Sequence, residues 1–406
     1  MIFQTLDDKQ ECVGVYIDGS LHFHLDKLPE GLSKTWKHVP YLSGMDIEYA
    51  SLYLEEKKLT DVLPEYLLDD WGDVGKKILS FKRSLKISQV DMSENCFFDL
   101  APKRLLVEYC EVKNRITEHV LKNVPRPRRY EFYKQVSLML AEIENRKVNI
   151  DSSKIKSYLK HSKLGNQARS ILSCSGHVKY NPFGTKTGRL TTAKNAFPIL
   201  TLGKEFRFGI KPQNDFFVEL DFNGAEVRTL LGLLEKPQPQ QDVHKFHNEE
   251  LLGGCFTRTK AKEAFFAWLY GAKKAVSRDA SSRLSKYYRK EDLLTKYWDG
   301  KIVTTPYGKR IDCPSEHYAL NYLVQSTAAE LAIKQALKIN YLLNNKSSGS
   351  FLAFVIHDAI VLDMKNEDRH LLKYVKKIMG STNFGEFMVN TKEGNNLGNL
   401  RKSNIV

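Results

Sequence analysis

Two apolar runs of this chain each finish on an aspartate, and that pattern constrains the fold more than any bulk property. The first, Phe217-Val218-Glu219-Leu220-Asp221-Phe222, breaks at Asn223-Gly224 and continues as a helix-like run to Leu234. The second spans residues 354–363, where Phe-Val-Ile and Ile-Val-Leu flank His357-Asp358-Ala359. Runs rich in Val, Ile and Phe read as strands, and the short polar break between them reads as a tight turn. A carboxylate beside apolar walls is costly unless it is partnered. A lysine, a backbone cap or a metal ion would serve. If the two strands are neighbours, Asp221 and Asp358 converge at one sheet edge. Their repulsion is then resolved by a divalent cation. Two Mg²⁺ ions, about 3.5–4 Å apart, would activate an attacking oxygen and stabilise a leaving one. Ordinary turn capping by both carboxylates is the plainer alternative.

The surrounding chain narrows the setting. Its 406 residues suffice for two or three domains with a sizeable core. No apolar run approaches the length of a membrane span, so no membrane partner is expected. The start, MIFQTLDDKQECVG, is acidic where a signal peptide needs a basic and then an apolar region. A cytoplasmic location is therefore expected. The six cysteines, at 12, 96, 110, 174, 255 and 313, form no CxxC pair. Free thiols are expected, and a zinc site is not. The formal net charge of +14 favours a polyanionic partner such as nucleic acid or an acidic membrane surface.

Along the chain, Val124-Pro125-Arg126-Pro127-Arg128-Arg129 reads as a domain boundary. A helical pattern follows it, with Val136, Leu138, Leu140, Ile143 and Val148 roughly at helical spacing. Residues 181–192, NPFGTKTGRLTT, read as a loop or hairpin, and 236–241, KPQPQQ, as a loop. Residues 256–280 read as one long helix, 301–311 as a hairpin around Tyr307-Gly308, and 317–345 as another helix. Strands separated by long helical insertions imply an α+β core with a helical subdomain.

One helical segment carries a chemical gradient. Arg258, Lys262, Phe266 and Tyr270 follow one another at intervals of four, with Gly271 next. Such positions share a helix face and drift by about 40° per step. The face begins cationic and ends aromatic. A nucleoside triphosphate has the same polarity: Arg and Lys suit phosphate oxygens, Phe266 the sugar and Tyr270 the base. An amphipathic helix with surface cations is the plainer reading.

Taken together, these segments resemble the A family of DNA polymerases, which includes bacterial DNA polymerase I and related phage enzymes. The resemblance spans about residues 130–406. LAEIENRKVNID (140–151) is similar to the entry into the thumb. TKTGRLTT (185–192) is similar to the TGR loop, which implies that Arg189 touches the primer strand. LDFNGAEVR (220–228) resembles motif A, which makes Asp221 a metal ligand through its side chain and Phe222 one through its carbonyl. Asp242-Val243-His244 resembles an element whose histidine approaches the triphosphate. Residues 258–271 resemble motif B, the fingers helix, and Asn321-x3-Gln325 matches a pair near the primer–template minor groove. IHDAIVLD resembles motif C, with Asp358 the second metal ligand and His357 beside the DNA.

The resemblance implies a right-hand polymerase fold: a palm sheet with helical fingers and thumb, preceded by a small α/β exonuclease-like remnant. It divides the chain into a shortened exonuclease-like domain (1–124), thumb (125–180), palm with motif A (181–234), fingers (235–300) and palm with motif C (301–406). The implied activity is template-directed extension of a DNA primer with dNTPs, using two Mg²⁺ ions. The fingers helix would close over a correct base pair. The implied enzyme is a compact, phage-type monomer serving replication or repair. Motif A glutamate, here Glu226, blocks a ribose 2′-hydroxyl in this family and so opposes an RNA polymerase or primase. Phe266 in place of tyrosine implies discrimination against dideoxynucleotides. A non-catalytic nucleic-acid-binding protein on a polymerase scaffold is the rival reading. The retained Asp221, Asp358, Arg258, Lys262 and Tyr270 count against it.

Three departures stand out. Ala359 follows Asp358 where the family usually has Glu, and Gly224 replaces a usual Gln. In the N-terminal region the closing exonuclease motif, Tyr-x3-Asp, reads Tyr109-x3-Lys113. A lysine cannot replace a carboxylate ligand, so residues 1–124 are expected to lack 3′–5′ exonuclease activity. Asp46-x-Glu48 is the nearest imitation of that domain's first acidic pair. An adaptor for a processivity or replisome partner is the alternative role.

Overall fold

A hairpin of Val15, Tyr16 and Ile17 turning at Asp18-Gly19 opens the first sheet. The computed structural model describes residues 1–403, apart from 7–12, 43, 56, 93, 273–275 and 347–348. Strands β1 (Phe3–Thr5), β2 (Gly14–Ile17) and β3 (Ser20–Phe23) form an antiparallel meander. Asp18 and Gly19 both have positive φ, 46° and 85°, as a two-residue hairpin turn requires. β4 (Lys34–Thr35) runs parallel to β5 (Glu48–Tyr49), and a parallel bridge from Ile2 to Lys34 sets β4 beside β1. The strand order is therefore β3-β2-β1-β4-β5. Helices Glu65–Ile87 and Lys103–Asn123 pack against each other in the same unit.

The first compact unit runs from Met1 to Asn145 and the second from Arg146 to Val406. The boundary expected at 124 thus falls some twenty residues later. Helix Tyr130–Glu144 belongs to the first unit because its tyrosine is built into it. The Tyr130 hydroxyl accepts the Tyr49 N–H at 2.7 Å, and its ring meets Tyr53 edge-on at 5.6 Å. The Pro/Arg run is a connection within a unit, and the segment read as thumb is divided between the two. One expectation about cysteine also fails. Cys96 is disulfide-bonded, whereas Cys110, Cys174, Cys255 and Cys313 are free. A bridge needs only that two thiols meet in the fold, which their spacing in sequence does not reveal. Cys12 lies outside the described residues.

In the second unit, β6 (Tyr180–Asn181) and β7 (Thr191–Thr192) pair across the TKTGRL loop. β8 (Phe216–Phe222) follows, then a short hairpin of β9 (Ile302–Thr304) and β10 (Arg310–Asp312). β11 (Phe351–Ile356) and β12 (Ala359–Met364) form the second aspartate-bearing hairpin. β13 (Ser381–Thr382) and β14 (Gly385–Glu386) pair locally, and β15 (Val389–Gly394) and β16 (Arg401–Lys402) end the described chain. The central sheet is antiparallel, in the order β11-β12-β8-β15-β16. β8, the strand bearing Asp221, lies at its centre. β12 and β8 show long buried apolar runs, as strands covered on both faces should. The long helix Glu316–Asn345 packs against β11 and β12.

The helix expected over 256–280 is two helices, Arg258–Leu269 and Arg278–Tyr288. Gly271, at φ 80°, follows the Tyr270 cap and ends the first about three turns short of the expected end at 280. Residues 273–275 of that span are outside the described residues. Among the described residues, no helix is long and apolar enough to cross a membrane.

Candidate active site

The register of β8 with β12 brings the two aspartates together. Asp221 pairs across the sheet with Ala359, the residue after Asp358. The turn at the tip of the hairpin is His357-Asp358, with His357 exposed and in the left-handed region at φ 58°. Asp221 is half-buried, and its pKa is pushed up to about 7. Burial contributes most, then the charges of Asp358 and Glu219, while Lys392 and Lys262 pull the other way. Two like charges facing each other at a sheet edge leave a deficit of positive charge between them. The donor set, carboxylate oxygens with a backbone carbonyl, suits a hard divalent cation. Phe222 can contribute only through its backbone, because its ring is buried and meets Phe387 at 5.5 Å.

After β8 the chain turns sharply into helix Ala225–Leu233. Gly224 caps that helix at φ 71°, and a Cβ there would lie 2.5 Å from Val243 Cγ1. The departure at this position is thus demanded by the backbone and its neighbour. Arg228, fully buried, ties the turn to the following loop. It donates to the Asn223 carbonyl at 2.7 Å, the Pro239 carbonyl at 3.0 Å and the Gln241 carbonyl at 2.9 Å. A lone arginine inside the apolar run Val-Arg-Thr-Leu-Leu was the available signal for this brace, and sequence reasoning missed it.

The loop so held delivers Asp242. Its Oδ1 accepts the backbone N–H of His244 and Lys245 at 3.0 Å each, capping helix Val243–Phe246. Its Oδ2 accepts from Asn223 at 2.6 Å and from Arg258 at 2.8 Å. Burial alone would raise its pKa, but these hydrogen bonds hold it down at about 2. His244 is buried, with a pKa lowered to about 4 by burial and by the cations Arg258 and Lys262, against the opposing Asp242. Its imidazole is neutral at physiological pH and its buried Nδ1 has no partner.

Helix Arg258–Leu269 presents two faces. Ala261, Phe265, Trp268 and Leu269 are buried in a core with Leu230, Leu284, Tyr288 and Leu323. Burial of rings of this size stabilises by about 2–3 kcal/mol each. On another face, Arg258 and Lys262 are exposed and Phe266 and Tyr270 half-buried. Phe266 lies between His244 and Tyr270, 6.0 Å from each ring, and stacks on the tyrosine at 21°. The charge-to-aromatic gradient read from spacing is thus a physical face. Glu226 closes the aromatic end. Its Oε1 accepts from Arg189 at 2.5 Å and its Oε2 from the Tyr270 hydroxyl at 3.1 Å.

The structure therefore gathers Asp221 with Asp358, Arg189 with Glu226 and Tyr270, and Arg258 with Asp242 and His244. Asn321 and Gln325 sit half-buried on one face of helix Glu316–Asn345. No described hydrogen bond, ion pair or ring contact joins them, or His357, to these groups.

In the N-terminal unit the acidic pair expected at Asp46 and Glu48 is not a pair. Glu48 on β5 accepts from the Tyr53 hydroxyl, while Asp46 is exposed against Lys134 at 3.0 Å. Central strand β1 instead carries Gln4, fully buried, donating to Thr117 at 2.9 Å and Asn114 at 3.3 Å. One helical turn earlier, Lys113 donates to the Tyr109 hydroxyl at 3.0 Å. Counted from the sequence, residues 1–145 hold 20 Lys/Arg against 24 Asp/Glu, and 146–406 hold 42 against 24. The positive excess belongs entirely to the second unit.

No protein-family profile matches the chain. A DNA polymerase of Bacillus phage SP01 is 26% identical over 271 residues, covering 52% of this chain and 29% of that protein. The chain thus aligns with under a third of that relative's length. The POL domain of Pol1 from M. smegmatis, solved as a complex with DNA primer-template and dNTP, has a TM-score of 0.64 at 12% sequence identity. That match covers 98% of this chain and 95% of the other. The chain has the fold of a DNA polymerase I polymerase domain, and its sequence is similar to that of a phage DNA polymerase.

Proposed function

We propose that the chain is a template-directed DNA polymerase that extends a DNA primer with dNTPs by two-metal-ion nucleotidyl transfer, without 3′–5′ proofreading. The observation that carries this reading is the meeting of Asp221, on β8, with Asp358, in the turn that leads into the neighbouring strand β12, in one unit with the Arg258–Lys262–Phe266–Tyr270 face. Asp221, Asp358 and the Phe222 carbonyl would hold two Mg²⁺ ions. When bound, such ions lower the pKa of an attacking hydroxyl and neutralise charge on a leaving pyrophosphate.

The chain's own groups do the rest. Arg258 and Lys262 bind the triphosphate oxygens, with Arg258 held ready on Asp242. His244, kept neutral by burial, donates a single N–H to a phosphate oxygen. Phe266 and Tyr270 flank the sugar and base of the incoming nucleotide. Glu226, fixed at both oxygens, occupies the space that a ribose 2′-hydroxyl needs. Arg189, Asn321, Gln325 and His357 contact the primer–template. The cationic second unit supplies the field for a polyanion.

The absence of proofreading is supported by β1, where Gln4 meets Thr117 and Asn114 and the closing motif ends in Lys113. Amide, hydroxyl and ammonium groups do not replace carboxylate ligands. Residues 1–145, net acidic by themselves, suit a protein partner better than DNA.

The test is extension of a 5′-labelled primer–template with Mg²⁺ and dNTPs, beside a 3′-mismatched primer with and without dNTPs. Templated extension without shortening is expected. DNA binding with no extension would favour the non-catalytic scaffold, and shortening would overturn the loss of proofreading.

A further inference from the structure

The hairpin that carries Asp358 has an unmet backbone need just below its tip. Ile356 pairs with Ala359 across the two-residue turn His357-Asp358. Such a turn is closed by a hydrogen-bonded pair, and bonded and non-bonded pairs alternate along an antiparallel ladder. At the next pair, Val355 with Ile360, the N–H and C=O of Val355 therefore point away from β12. β11 is the edge of its sheet, so among the described residues no strand pairs on that side. Val355 is nevertheless buried. Buried backbone groups must find partners elsewhere.

Tyr180, on β6, supplies both. Its hydroxyl accepts the Val355 N–H at 3.0 Å and donates to the Val355 carbonyl at 2.9 Å. Burial pushes the phenol pKa up, so the hydroxyl keeps the proton it donates. The hold falls where the hairpin is otherwise easy to deform. Below Val355 the register of β11 shifts between Leu352 and Phe354, a bulge that bends the strand. Above it His357 takes a positive φ of 58°, which a residue with a Cβ rarely adopts. β6 also pairs with β7 around the loop of Arg189, so one strand braces both the loop and the hairpin.

We propose that Tyr180 is a positioning residue for nucleotidyl transfer: its hydroxyl pins the tip of the β11–β12 hairpin and so fixes where Asp358 stands relative to Asp221. The inference rests on the reading of Asp358 as a cation holder, and it extends the site to a residue outside every motif described above. Asp221 is held by strands on both sides, β12 and β15. Asp358 sits in a turn at the end of an edge strand, so its place depends on what holds that edge. Misplacing a catalytic group by about 1 Å slows a reaction by up to about 100-fold without loosening the substrate. A tyrosine that only stabilised the fold would lower the melting temperature and leave the rate of the folded enzyme unchanged.

The experiment compares Tyr180→Phe with Ser350→Ala in the full chain. Ser350→Ala removes a buried hydroxyl from the far end of the same hairpin, where it bonds Asp368. Single-turnover incorporation of dCTP opposite template G, and hydrogen–deuterium exchange of residues 354–360 in chelator, are measured well below each melting temperature. Tyr180→Phe is expected to slow incorporation at saturating dCTP roughly tenfold and to raise the Mg²⁺ concentration for half-maximal rate about threefold. The half-saturating dCTP concentration and the DNA affinity should stay within about twofold. Exchange across the hairpin tip should quicken at least about fivefold. Ser350→Ala should lower the melting temperature and change none of these. If Tyr180→Phe behaves like Ser350→Ala, or weakens dCTP binding without slowing incorporation, the positioning role is overturned. Asp358→Asn is the reference: if it extends primers at the parent rate, the reading of Asp358 itself falls. Should Tyr180→Phe fail to fold, para-fluorophenylalanine in place of Tyr180 decides, because it fills the volume of the hydroxyl and cannot donate. Slower incorporation then supports the proposal, and the parent rate refutes it.

Discussion

The Arg189 guanidinium donates to Glu226 Oε1 at 2.5 Å, so the residue at the aromatic end of the Arg258–Tyr270 face is anchored by a loop 37 positions away. Tyr270 holds the other oxygen. A carboxylate fixed at both oxygens is a wall, whereas one held at a single oxygen can swing. Glu226→Ala should therefore lower the preference for dNTPs over NTPs by about 10- to 200-fold in kcat/KM. Arg189→Met should lower it by less, roughly three- to tenfold, because Tyr270 remains. Single-turnover incorporation of dCTP and CTP opposite template G measures both. Unchanged sugar selectivity in Glu226→Ala would refute the gate.

Asp221 and Asp358 repel each other in the metal-free chain, which separates their contribution to stability from their contribution to activity. Asp221→Asn or Asp358→Asn should reduce primer extension by at least about 10³-fold while leaving DNA affinity within roughly threefold. Either change should also raise the melting temperature by about 1–3 °C in chelator, since it removes one of two facing charges. A variant that loses both activity and stability would mean that the aspartate had served as a turn cap.

Gly224 offers a test of the backbone that carries Asp221. At φ 71°, with Val243 Cγ1 2.5 Å from any added Cβ, Gly224→Ala must strain the turn or displace helix Val243–Phe246. A loss of about 1–3 kcal/mol in urea unfolding is expected. Because that helix carries His244 and is capped by Asp242, the KM for dNTP should rise as well. Gly224→Ala with unaltered stability would mean that the turn relaxes freely.

Much of this site was legible because its strands advertise themselves. Phe217–Phe222 and Phe354–Asp363 are apolar enough to be strands, and a hairpin places its ends predictably. The four-residue rhythm from Arg258 to Tyr270 survives as a real helix face. What escaped was the polar context. β15, Val-Asn-Thr-Lys-Glu-Gly, has no apolar run to mark it, yet it completes the sheet and brings Lys392 to Glu219. Arg228 and Asp242 act through carbonyls and N–H groups whose proximity depends on a folded loop. The end of the first unit was misplaced for a related reason. The Pro/Arg run at 124–129 breaks a helix locally, but the Tyr130–Tyr49 hydrogen bond that retains the next helix is 81 residues long-range. Asp46 and Glu48 looked like an acidic pair from spacing, and the fold sends them to Lys134 and Tyr53.

His247 and His244 make stability depend on pH in a defined direction. Both are buried, and their pKa values fall from 6.5 to about 3 and about 4, chiefly through desolvation of the charged form. Neutral in the fold, they take up protons when the chain unfolds below pH 6.5. Stability is therefore fully retained above that pH. It falls as pH drops toward 4, by up to about 1.4 kcal/mol per pH unit for each ring. His247 also bonds the Tyr288 hydroxyl and stacks on Phe265 at 4.1 Å, so a non-titrating residue must keep a polar end. His247→Gln should cost about 1–3 kcal/mol at pH 8 through lost packing and imperfect hydrogen bonding. Its stability should decline less steeply than the parent's between pH 6.5 and 4. Urea unfolding followed by circular dichroism at half-unit pH steps gives both curves. Parallel slopes would show that His247 does not change protonation on unfolding, and the acid sensitivity of this core would then rest on His244 and other groups.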